Sequence, residues 1–159
     1  MSTLTVTVSN ATCGVHAPYI YCLLAREYGC AYIGQTFAQY GFLGRLAQHL
    51  SDTPAATFRR QLSSIYRLDA SALDGCEVVG YAARLPNTKQ YGLQDYREAV
   101  EFLVQCGLIN LLAESGTAVT VVSRARGNGY TKLQYIRSAS SRISSDFYLW
   151  LHDCCTASA

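Results

Sequence analysis

Two short runs of apolar and aromatic residues, 19–25 (YIYCLLA) and 30–34 (CAYIG), stand on either side of Arg26-Glu27-Tyr28-Gly29. Four polar or turn-forming residues between two such runs predict a β-hairpin. Upstream, residues 3–8 (TLTVTV) alternate Thr with apolar residues, the period of a short added edge strand. Downstream, Leu43, Leu46, Ala47 and Leu50 fall at helical spacing, which predicts a helix over 42–51 ended by Ser51 and Asp52. Thr53-Pro54 opens a second predicted helix over 54–66, with Pro54 at a first-turn position where its missing N–H costs nothing. Residues 75–84 (GCEVVGYAAR) read as a strand and 87–92 as a loop. A long amphipathic helix follows over 93–114, its apolar side made by Tyr96, Val100, Leu103 and Leu111. Residues 118–122 (AVTVV) predict one more strand. The tail is less regular: a basic, glycine-containing loop from Ser123, then a helix-like apolar segment around 147–151.

The order β-β-α-α-β-α, then a strand and an extension, predicts an α+β domain: a small antiparallel sheet of three core strands flanked by helices. At 159 residues the chain reads as a single domain over 1–159, with its core at about 19–112, an N-terminal strand and a C-terminal extension. Half of the residues are hydrophobic and 15% are charged, which excludes global disorder. No stretch approaches the roughly 18 uninterrupted apolar residues that a membrane span needs.

The first residues carry neither a basic region nor an apolar block, so no secretion signal is read there. Seven cysteines, an odd number, suit free thiols in a reducing, cytoplasmic setting. The Cys13/His16/Cys22/Cys30 spacing fits no zinc pattern, and C-x-x-C is absent. A net charge of +2 permits a nucleic-acid partner only through a local basic surface.

Tyr19-Ile20-Tyr21, then Tyr32-Ile33-Gly34, then Gly44-Arg45 and His49 follow one another in order. Taken together they resemble the signature of the GIY-YIG nuclease superfamily, over residues 19 to about 112. The second triplet matches fully, whereas Tyr19 stands where the family has Gly. Arg45 and His49 lie four apart on the predicted helix and so project from one face. The resemblance implies a divalent-metal-dependent endonuclease that hydrolyses DNA phosphodiester bonds with Mg²⁺ or Mn²⁺. It implies double-stranded DNA as partner and, for restriction-type members, a homo-oligomer in which each copy cuts one strand.

By the same resemblance, the Tyr21 and Tyr32 hydroxyls are the base and water-positioning groups, with Gly34 supporting them. Arg45 binds the phosphate, and His49 is a further hydrogen-bonding or proton-accepting partner. This division suits the chemistry, because hydrolysis needs a water, a base, and positive charge at the developing phosphorane. An arginine fork supplies that charge, while a phenol is a poor base at neutral pH unless a cation lowers its pKa. Gln35 stands after the second triplet, where some members carry Lys.

The family's metal-binding glutamate has two candidates on the helix over 93–114. Glu101 flanks the predicted apolar side, while Glu98 lies nearly opposite it and precedes Asn110 by the spacing some relatives show. Gln35, Arg59, Arg60, Arg124, Arg126 and Lys132 are candidate DNA contacts, the last three within and just after a basic loop that also carries Tyr130. Two rival readings remain: a catalytically silent nucleic-acid-binding relative, and a partner-binding domain whose motifs coincide by chance.

Overall fold

The computed structural model describes residues 5–9, 15–51, 56–67 and 75–156, with backbone alone for 5–9. Cys13, Asp52, Thr53 and Pro54 lie outside the described residues.

The predicted hairpin forms between β2 (Tyr19–Ala25) and β3 (Cys30–Thr36). A 3₁₀ turn over Arg26–Tyr28 joins them and closes on Gly29, whose φ of 54° is left-handed and therefore suits a residue without a side chain. The register pairs Ala25 with Cys30 and Tyr21 with Gly34. On the other side of β2 lies β4 (Glu77–Arg84), also antiparallel, so β2 is the central strand. All seven residues of β2 are buried. That explains a run apolar on both faces rather than alternating.

The sheet is larger than three strands. β1 (Thr5–Ser9) adds to the outer edge of β4, and β5 (Thr120–Val121) to that of β3, giving the order β1-β4-β2-β3-β5. Both edge pairings are parallel, so the sheet is mixed rather than purely antiparallel. An alternating pattern marks a strand but carries no direction, and Thr5 finds its partner at Glu77, far along the chain.

Helices cover both faces. The residues of β2 that point one way, Tyr19, Tyr21 and Leu23, pack with Phe42 and Leu46 of α1 (Gly41–Leu50) and Phe58 and Leu62 of α2 (Thr57–Tyr66). α2 has Ala56 as its N-cap and so starts later than the predicted position at Pro54. Ile20, Cys22 and Leu24 point the other way. A short helix α3 (Lys89–Gly92), capped by the Thr88 side chain, occupies the predicted loop and leads into α4 (Gln94–Ser115). α4 lays Val100, Val104, Leu108 and Leu112 on that second face. Its buried stripe is thus shifted from the predicted one, and Tyr96, Leu103 and Leu111 are only partly buried.

The largest departure is the tail. α5 (Gln134–Thr156) is a continuous helix of 23 residues packed against α4, not a short segment at 147–151. Its buried stripe is Ile136, Ser140, Ile143, Ser144, Phe147 and Leu151. Two serines interrupt the apolar period, which hid the helix from the sequence pattern. They can be buried because each hydroxyl donates to the carbonyl one turn back, Ser140 to Ile136 at 2.8 Å and Ser144 to Ser140 at 2.9 Å. Gly107 of α4 gives Ser144 room, since a Cβ there would stand 2.6 Å from its Oγ.

If α5 is integral to the core, Phe147→Ala should cost about 3–5 kcal/mol of unfolding free energy in denaturant titration. A loss below about 1 kcal/mol would mean that α5 is an appendage.

Candidate active site

Tyr21 lies on the middle strand, and its ring reaches across β3 over Gly34, its cross-strand partner. A Cβ built on Gly34 would overlap the Tyr21 ring, so the glycine of the second triplet is the seat of the first triplet's tyrosine. Tyr32 stands diagonally across from Tyr21 on the same face, with ring centroids 6.3 Å apart. Tyr19, the departure from the family pattern, is buried in the apolar layer on this face and leaves the other motif residues together.

α1 brings two further groups to Tyr21, as the four-residue spacing predicts. The Tyr21 hydroxyl lies 2.6 Å from His49 Nε2, and Arg45 Nε donates to the same oxygen at 3.4 Å. The tautomer follows from the far side of the ring: the Phe58 backbone N–H donates to His49 Nδ1 at 3.3 Å. Nδ1 is therefore an acceptor, and Nε2 carries the proton and donates to Tyr21. The Tyr21 oxygen thus receives two donors and keeps its own proton for a third partner.

Burial, then the charge of Arg45, lowers the His49 pKa to about 3, so its ring is neutral at physiological pH. His49 is then a fixed hydrogen-bond donor rather than a proton acceptor. Burial and the neighbouring Tyr32 push the Tyr21 phenol well above its ordinary value, against the pull of Arg45. Arg45 continues outward, donating to Gln48 Oε1 at 2.8 Å and to Thr57 Oγ1 at 3.3 Å.

Tyr32 borders an open cleft of about 400 Å³, lined also by Thr57, Gln61, Glu98, Glu101, Arg124, Ala125 and Arg126. Burial raises the Tyr32 phenol, and so does the charge of Glu101, while Arg45 and hydrogen bonds with Thr57 and Tyr21 favour its ionised form. Both candidate glutamates line the cleft. Glu98 does not face away as the helical wheel implied, because the buried stripe of α4 is rotated toward Val104 and Leu108. Burial and the charge of Glu98 raise the Glu101 carboxyl to about 7, with Arg45 acting in the opposite sense.

Other candidates are placed unevenly. Arg124 and Arg126 are exposed at the cleft. Their loop is not free: Ala125 N–H donates to Gln105 at 3.0 Å, Asn128 to the Asp95 carbonyl at 2.8 Å, and Tyr130 stacks on Tyr96. Lys132 is exposed in a 3₁₀ turn beyond that stack and does not line the cleft. Gln35 points to the opposite face, where its Oε1 accepts from Arg97 at 2.7 Å. Arg59 lines a small apolar cavity behind His49. Arg60 is exposed on α2. Asn110 borders a different groove, beside Ser140 and Ser144, and cannot support Glu98.

Sequence reasoning missed Thr57, Gln61 and Ser123. Ser123 Oγ bonds both the N–H and the carbonyl of Ile33, the latter at 3.0 Å, and so fixes the start of the basic loop beside Tyr32. The Thr57/Gln61 spacing of four was the available signal, since it puts both on one side of α2. His16, outside the site, stacks on Phe37.

Among the described residues, no group of three or more His, Cys, Asp or Glu side chains is placed to hold a metal. The donors in the cleft are two carboxylates, two hydroxyls and an amide, all hard oxygen ligands. Such a set fits a cation that retains much of its water, as Mg²⁺ does. A cation would also offset the burial and the Glu98 charge that raise Glu101 to about 7. Compared with known proteins, the chain matches no family model, no curated protein and no solved structure.

Gly34→Ala should destabilise the fold by about 1–3 kcal/mol, because the Tyr21 ring has no room to yield. Wild-type stability in denaturant would show that the ring is seated elsewhere. An unfolded His takes its proton near 6.5, whereas folded His49 resists to about 3. As pH falls the unfolded chain binds the proton first, so the His49 contribution to stability is full above about 6.5 and is lost toward about 3. The His49 ring resonances in NMR are expected not to titrate between about pH 8 and about pH 5. A midpoint near 6.5 would place the ring in water.

Proposed function

We propose that this protein is a divalent-metal-dependent endonuclease of GIY-YIG type that hydrolyses phosphodiester bonds of DNA. One observation carries the reading: Tyr32, backed by Tyr21, Arg45 and His49, meets Glu98, Glu101, Arg124 and Arg126 at a single cleft. Phenol, guanidinium and carboxylate groups reach it from opposite faces of the sheet.

Tyr32 borders the cleft while Tyr21 stands behind it, 1% exposed, so the two phenols divide their work. Tyr32 is the group that meets the attacking water. Tyr21 hydrogen-bonds to Tyr32 and is held by His49 and Arg45. Arg45, which reaches the cleft wall at Thr57, acts with Arg124 and Arg126 of the cleft to receive the phosphate. The water oxygen bonds to phosphorus, its proton passes to Tyr32 as phenolate, and the bond from phosphorus to the 3′ oxygen breaks. That oxygen takes up a proton from solvent, leaving a 5′-phosphate and a 3′-hydroxyl.

Glu101 and Glu98 would hold a Mg²⁺ or Mn²⁺ ion, whose charge would stabilise the leaving oxygen and, with Arg45, favour the Tyr32 phenolate against the burial and the Glu101 charge that raise it. The cleft contains the groups for one cut, so cutting both strands of a duplex takes two copies, as in a restriction-type homo-oligomer.

Nicking of supercoiled plasmid with Mg²⁺ tests the reading. Arg45→Ala and Glu101→Gln should each lower the rate at least about 100-fold while circular dichroism stays unchanged. Because Glu101 must be ionised to hold a cation, wild-type nicking at Mg²⁺ well below saturation should rise with pH through about 7, and the midpoint should fall as Mg²⁺ is raised. Cleavage surviving both substitutions would sink the assignment. DNA binding without cleavage by the wild type would favour the silent relative.

A further inference from the structure

Gln61 stands on α2 one turn after Thr57 and lines the same cleft as Tyr32 and the two glutamates. Its residue is half-buried, yet its Oε1 is closed off from solvent and accepts a hydrogen bond from no protein group. Among the described residues only one other buried side-chain polar atom shares that condition, Arg26 Nε on the hairpin turn. An enclosed acceptor without a donor costs about 1–3 kcal/mol, which an apolar side chain of similar shape would avoid. The position therefore carries an amide at the expense of stability, in the wall of the cleft where a donor is wanted.

The carboxamide is also free to act. Rotation about its terminal bond is broad and low in cost, and the oxygen has no protein hydrogen bond to give up when it turns toward the cleft. Its neighbours narrow what it would meet there. The arginines are placed to take the phosphate, and the carboxylates to take a cation. A neutral acceptor in the cleft that Tyr32 borders is suited to a water.

We infer that Gln61 is a positioning residue for the attacking water. Its Oε1 accepts one water proton while Tyr32 takes the other, which aims a water lone pair at phosphorus. This inference rests on the hydrolytic reading above. It adds a residue from α2 to a set otherwise drawn from the sheet, α1, α4 and the basic loop.

The test compares wild type, Gln61→Leu and Gln61→Glu in single-turnover cleavage of a duplex with Mg²⁺, in DNA affinity with Ca²⁺, and in thermal unfolding. Gln61→Leu should cleave at least about 10-fold more slowly, bind DNA within about 2-fold of wild type, and unfold at the same or a higher temperature. Gln61→Glu keeps an oxygen acceptor at the same reach and should recover part of the rate. A merely structural glutamine would give the opposite signature, with stability and rate falling together. That result, or a Gln61→Leu rate equal to that of an active wild type, overturns the role of Gln61 and leaves the nuclease reading standing. A wild type that binds DNA and does not cut it overturns both.

Discussion

A tyrosine ring lying over a glycine holds this site together. Tyr21 occupies the space that a side chain at residue 34 would fill, and its oxygen is then met by His49 Nε2 and Arg45 Nε. Those bonds fix α1 on its face of the sheet, and Arg45 ties α1 to the first residue of α2 through Thr57. His49 repeats the tie from its other nitrogen, which accepts from Phe58. One buried phenol therefore sets the relative depth of two strands and two helices. Chemistry and packing share the same atoms here, so disturbing Tyr21 disturbs both.

The opposite wall is fixed by a different device. Arg97 is buried and has no ion-pair partner among the described residues. It donates to Gln35 on β3 and to the carbonyls of Tyr91 and Gly92, and its guanidinium lies over Phe37. Neutral acceptors and an aromatic face can hold a guanidinium that is only partly desolvated, because it is more weakly hydrated than an ammonium. This bolt joins α4 to β3 one helical turn before Glu101, and so sets where the carboxylate stands relative to Tyr32. The position after the second triplet thus serves the scaffold: Gln35 brings no charge to the cleft, and Arg97 takes its side chain.

Much of this arrangement was legible in the sequence where it depended on local period. The hairpin follows from two apolar runs either side of a short turn, and α1, α4 and the Arg45/His49 pair follow from helical spacing. Strand direction was not legible, because β1 and β5 find their partners far along the chain. α5 was hidden by Ser140 and Ser144, whose hydroxyls are satisfied within the helix and so behave in the core as small apolar groups. The facing of Glu98 was misread because the wheel was centred on Tyr96 and Leu103, residues drawn toward α5 and the 3₁₀ turn rather than the sheet. Gln61 and Ser123 have no pattern of their own; each matters only through what a distant segment places beside it.

Ser123 has a consequence beyond holding a loop. β5 ends at Val121, and the next rung on β3 is supplied by one hydroxyl that bonds both backbone groups of Ile33. The sheet edge at Ile33 is thereby saturated without being covered by a strand. A bare strand margin invites another chain to add itself, as in runaway association of sheets; a longer β5 would prevent that and wall off Tyr32. A single serine leaves the border beside Tyr32 open while giving a stray strand nothing at Ile33 to grip.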